Sequence, residues 1–186
     1  PTPEQDRAYL AAVEAGDMAK AQAIVDEAAK KAGYNQKAYH GTWRAGFTVF
    51  KDLSHFSPTK TYADRYQQTS ASSMGISGVK DATNQDTYQV FLKMQKPFDT
   101  RQAKAKKLFN DEFLGKWGNG TPIQERGLPD WTDSVDLAEW LNEEHAGEFD
   151  SFILDEGAEP TETGEVSVRP ESFVPLDPRN IKSADP

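Results

Sequence analysis

From Pro3 to Gly33 the apolar positions Tyr9, Leu10, Val13, Met18, Ala21, Ile24, Val25 and Ala28 recur near the helical period. Gly16-Asp17 interrupts the series, which predicts a short helix, a break with Asp17 as N-cap, and a second helix ending at Gly33. From Gln36 onward the pattern turns to short strands and loops. Lys37 to His40 reads as a strand leading into Gly41, with further extended stretches at Phe47-Thr48-Val49-Phe50 and Ser54-His55-Phe56-Ser57. Pro58 then opens a helix with Ser57 as N-cap, running to about Gln68. Thr69 to Thr83 is rich in Ser, Gly and Ala and reads as a loop long enough to act as a lid or to face a substrate.

Tyr88 to Met94 is the strongest strand in the chain, closed by Lys96-Pro97. Helical patterns follow at Arg101 to Leu114 and Ser134 to His145. Phe149 to Leu154, Val166 to Val168 and Ser172 to Leu176 read as late strands, and Asp177 to Lys182 as a tail. Strands and helices do not alternate strictly, so the class is α+β, with an N-terminal helical hairpin over residues 1–35 as a cap or lead-in and the main domain over 36–186.

Composition narrows the chemistry. The chain has 186 residues and no apolar run near the roughly 18 that a membrane span needs, so no membrane association is expected. No cysteine is present, which removes disulfides, thiolate nucleophiles and cysteine-held zinc, and the three histidines are scattered, so no metal is expected. The net charge of -9 argues against a broad footprint on duplex DNA. Locally, Lys37 to Arg65 holds five basic residues against two acidic ones, an excess of the sign that attracts an anionic pyrophosphate. Phosphate loops, dinucleotide-binding glycine turns, nucleophile elbows and zinc helices are all missing.

His40-Gly41-Thr42 on a first strand, His55-Phe56, the helix from Pro58 to Tyr66 with its Tyr62-Ala63 and Tyr66, and Glu171 opening a late strand form an ordered set. That set resembles the ADP-ribosyltransferases of the diphtheria-toxin and poly(ADP-ribose) polymerase branch. The stretch from the hairpin to Ile181-Lys182-Ser183-Ala184 is similar, more closely, to the ADP-ribosyltransferase modules of phage and mobile-element polyvalent proteins. The resemblance implies two small packed, mostly antiparallel sheets with an NAD cleft between them.

It also implies a role for each residue. His40 would hydrogen-bond the adenosine ribose, Gly41 would pair through its backbone with the nicotinamide carboxamide, and Tyr39 and Thr42 would flank that pocket. Tyr66 would stack on nicotinamide, with Tyr62 as the alternative one turn earlier. His55 stands beside Phe56 where many relatives carry tyrosine, so the middle position of the triad lies between Tyr66 and His55. Glu171 would stabilise the oxocarbenium character that develops as the nicotinamide-ribose bond breaks, with Glu165 as the alternative. Arg44 and Lys51 suit the pyrophosphate on charge alone.

The activity so implied is transfer of ADP-ribose from NAD to a macromolecular acceptor, protein in preference to nucleic acid, as a toxin or effector module acting in the cytoplasm of a host or target cell. A cognate immunity protein would be a natural partner. NAD hydrolysis with water as acceptor, and a non-catalytic acidic binding or inhibitor module, are the alternatives.

Overall fold

The structure is a computed structural model that describes residues 2–42, 45–64, 66, 86–113, 133–155 and 171–184. Helix α1 (Pro3–Glu14) starts at a capping box. The Thr2 hydroxyl accepts from the Gln5 amide at 3.3 Å, and the Gln5 side chain accepts from the Thr2 amide at 2.9 Å. Helix α2 (Met18–Lys31) starts at Asp17, whose carboxylate accepts from the Lys20 amide at 3.0 Å, as its sequence position predicts. It stops at Gly33, which takes φ of +85° so that the amides of Gly33 and Tyr34 can turn back onto the carbonyls of Lys30 and Ala29.

The remaining elements are strands β1 (Gln36–Thr42), β2 (Asp86–Leu92) and β3 (Pro97–Asp99), helix α3 (Ala103–Leu108) running on as a π-helical turn (Phe109–Phe113), helix α4 (Ser134–Glu144), and strands β4 (Ser151–Asp155), β5 (Glu171–Pro175) and β6 (Ile181–Ser183). Among the described residues they build a mixed α+β fold with two three-stranded sheets, ordered β1-β2-β6 and β3-β4-β5. All pairs are antiparallel except β3 with β4. No helix among the described residues is long and apolar enough to cross a membrane.

Three sequence expectations change here. Ile181–Ser183, read as tail, completes the first sheet beside β2, because the Lys93 and Ala184 amides close the ladder on the carbonyls of Asn180 and Gln89. Pro97–Asp99 resumes as a strand immediately after the Lys96-Pro97 stop; proline at its first position withholds no ladder donor that the strand needs. Residues 47–50 form a loop and not a strand, with Phe47 and Phe50 folded inward onto Tyr88. The expected strand at Val166 to Val168 and the loop at Thr69 to Thr83 lie outside the described residues.

Three apolar clusters set the layers. Val25 and Ala29 of α2 cover Phe91, Tyr34 and Ala184 on the outer face of the first sheet. Ala38, Phe56, Val90, Leu92, Ile153 and Phe173 fill the space between the two sheets. Phe152, Leu154 and Val174 point outward from the second sheet onto Trp140, Leu137 and Leu141 of α4 and Phe109 and Phe113 of the π-helical turn. The edges of the two sheets are joined by backbone as well. Tyr39 and Ser57 exchange hydrogen bonds of 2.8 Å each, and the adjoining Phe56 exchanges bonds of 3.0 and 2.8 Å with Phe173. Residues 56 and 57 therefore stitch β1 to β5.

Candidate functional site

Ladder parity fixes which way each residue of β1 faces. Gln89 of β2 and Lys93, the residue just after that strand, bond toward the β6 side, so the even-numbered residues of β2 bond toward β1. In β1 the even positions 38, 40 and 42 then bond to β2, and Tyr39 and Gly41 turn their amides and carbonyls outward. Tyr39 spends both groups on Ser57. Gly41 finds no such partner among the described residues, so one donor and one acceptor stand side by side on the open strand edge.

A side chain at Gly41 is impossible without movement. A Cβ there would come within 1.7 Å of the Ala63 carbonyl oxygen, because the helical turn at 60–64 rests directly on β1. That turn is held by Asp64, whose carboxylate accepts from the Thr87 hydroxyl at 2.6 Å and from Lys60 at 2.9 Å. The Thr87 bond, then Lys60, holds the Asp64 carboxyl below its ordinary range. On either side of Ala63 in the chain, Tyr62 and Tyr66 bring their hydroxyls to 3.1 Å and their rings edge to face at 5.5 Å. Tyr66 is 42% exposed. The Ser57 hydroxyl accepts from the Thr59 amide at 3.1 Å, which is how the expected cap acts at this helix start.

His40 shares the inner face with Ala38 and sits among Phe47, Phe50 and Phe56, with ring centroids at 6.1, 5.3 and 5.4 Å. Its Nδ1 lies 2.7 Å from the His55 carbonyl oxygen, which can only accept, so Nδ1 carries the proton. Burial lowers the imidazole below its usual range despite that bond, so the ring is neutral at pH 7 and Nε2 offers a lone pair. Toward the ribose that the resemblance assigns to His40, Nε2 is left only to accept. His55 is engaged elsewhere: its Nε2 is 3.1 Å from the Ser134 hydroxyl at the start of α4. Burial, reinforced by His40, pushes its imidazole down to about 4.

Phe47, Phe50 and Tyr88, the wall around His40, also line a cavity of about 570 Å³ completed by Val90, Arg179 and Ile181. This volume suits a nucleotide-sized ligand. Lys51, which follows Phe50 in the chain, is exposed and is not part of that lining; Arg44 and Glu165 lie outside the described residues. Leu53 takes φ of +58°, a left-handed turn that lets the loop double back to Phe56.

Glu171 enters from the opposite sheet. It pairs with Asp155 and alternates with Phe173, whose side chain fills the inter-sheet cluster, so Glu171 faces the same side at the end of β5. It lies within the strand and not before it. Its carboxylate Oε1 accepts from an Arg101 terminal nitrogen. Arg101 is in turn clamped by Asp99, with Nε to Oδ1 at 2.7 Å and the second terminal nitrogen to Oδ2 at 2.8 Å. Burial pushes the Asp99 carboxyl up, but Arg101 outweighs it and holds the group below its ordinary value. Hydrogen bonding to Asp99, with Glu171 adding to it, raises the guanidinium.

Periodicity missed Asp99, Arg101 and Ser134. One cue was available: an Asp two residues before Arg101 is the pattern of an Asx turn, and at the end of β3 the Arg101 amide does bond Asp99 at 3.0 Å. Among the described residues no group of three or more acidic or histidine side chains could hold a metal ion. Comparison of the chain with protein-family models, with curated proteins and with solved structures finds no match.

Proposed function

We propose that this chain has an ADP-ribosyltransferase fold and transfers ADP-ribose from NAD to a macromolecular acceptor, releasing nicotinamide. One observation carries the reading: the open donor-acceptor pair at Gly41 and the Nε2 lone pair of His40 lie on one sheet, and a carboxylate, Glu171, comes from the inner face of the other. The Gly41 edge matches a carboxamide, which needs one acceptor and one donor. Tyr66 and Tyr62 offer an aromatic wall beside it, and the His40 Nε2 accepts from a ribose hydroxyl. The cavity beneath Phe47 and Phe50 suits the adenine, with Arg179 in its lining as a cation for the pyrophosphate.

In the reaction the bond between ribose C1′ and the nicotinamide nitrogen breaks, and its electron pair neutralises the pyridinium. The acceptor attacks C1′ and gives up a proton. Glu171 stabilises the cationic sugar between these events. The acceptor is a protein, in keeping with an acidic chain, and the role is that of a toxin or effector module. Incubation with labelled NAD followed by mass spectrometry tests this. Label on a macromolecule is expected, with turnover falling on the order of 1000-fold in Glu171→Gln. Free ADP-ribose alone would make it an NAD hydrolase, and absence of both binding and turnover would end the reading.

A further inference from the structure

We infer that Arg101 is a positioning residue that holds Glu171 in its working rotamer, an inference that rests on the proposed ADP-ribosyl transfer. The carboxylate of Glu171 ends an exposed strand rim, one-third accessible, where a free glutamate samples several rotamers. The guanidinium removes that freedom because it is itself immobile. Asp99, only 8% exposed on β3, occupies two of its nitrogens and also receives the Arg101 amide and the Gln102 side chain at 3.3 Å. The remaining terminal nitrogen then points at Oε1 of Glu171.

This geometry divides the two oxygens of the carboxylate. Oε1 is held by Arg101, and Oε2 has no partner among the described residues, so it is the oxygen left to accept from a ribose hydroxyl. Two strands that are not adjacent in the second sheet, β3 and β5, are thereby tied across its rim by one planar cation. Lysine cannot replace it: a single ammonium lacks the fork that satisfies both edges of Asp99 while reaching Glu171.

The test is steady-state NAD consumption by the full chain and by its Arg101→Ala, Arg101→Lys and Asp99→Asn variants, with melting temperature as the control for folding. Arg101→Ala should lose on the order of 100-fold in kcat, the scale of a small misplacement of a catalytic group, with KM for NAD within about twofold. Arg101→Lys should not restore it, Asp99→Asn should lower kcat in the same direction, and guanidinium ion added to Arg101→Ala should recover part of the rate. An unchanged or raised kcat in Arg101→Ala overturns the inference, as does a loss that appears in KM or follows the folded fraction. If Glu171→Gln stops turnover while the Arg101 variants match the parent, only this inference falls. If the parent chain neither binds nor consumes NAD, the proposed function falls and takes this inference with it.

Discussion

His40 and Glu171 project from facing sheets, yet their surroundings are opposites. Around His40 three phenylalanine rings, one backbone carbonyl and burial hold a neutral imidazole, and every neighbour that fixes it is uncharged. Around Glu171 the fixing groups are ions at a partly exposed rim, Arg101 and behind it Asp99. A dry, neutral wall suits recognition of a ligand by shape and a few hydrogen bonds. An ionic rim suits the point where charge develops, and it is open to screening by salt, which the aromatic wall is not.

The comparison breaks most sharply at Gly41. Gly41→Ala drives a methyl into the Ala63 carbonyl and should destabilise the fold by about 3 kcal/mol, at the upper end of overpacking effects, read as a lowered urea midpoint. A midpoint equal to the parent's would mean that the helical turn is not seated on β1 as described.

The neutral wall should also betray itself in pH. His55 is held at about 4 when folded and returns to about 6.5 when unfolded, so the unfolded chain binds the extra proton between those values. The stabilising contribution is complete above 6.5 and is lost as pH falls toward 4. Stability of the parent should fall by about 2 kcal/mol more between pH 7 and pH 4.5 than that of His55→Gln. Parallel pH profiles for the two would show that His55 is not buried as a neutral ring. The smallest effect belongs to Thr87→Val, which removes one hydrogen bond to Asp64 and should cost about 1 kcal/mol. A loss larger than that of Gly41→Ala would mean that the bond, and not close packing, holds Tyr62 and Tyr66 in place.

Much of the hydrogen-bonded skeleton was legible because it follows local rules. Asp17, Gly33 and the apolar stripe of α2 announce the hairpin, and the β-branched and aromatic run ending at Met94 announces β2. Phe47 to Phe50 misled because an apolar run reads as a strand until one sees that its rings are needed to cover His40. Ile181–Ser183 was missed because three residues carry too little alternation to declare a strand whose partner is ninety positions away. The site divides the same way. His40, Gly41 and the tyrosines lie within one contiguous stretch, but the Asp99–Arg101–Glu171 chain joins segments 70 residues apart and leaves only its Asx turn as a local trace.

The return of β6 to the side of β2 has a consequence for how the protein is made. Synthesis delivers α1, α2 and β1 well before β6, and domains generally fold as units. Here the Tyr34 hydroxyl donates to the Arg179 carbonyl, the Gln22 side chain donates to that of Ala184, and Ala184 closes the cluster under α2. The sheet that β1 begins is therefore closed only when β6 arrives, and until residues 179–184 clear the ribosome, Phe91 and the edge of β2 are exposed to whatever else is nearby.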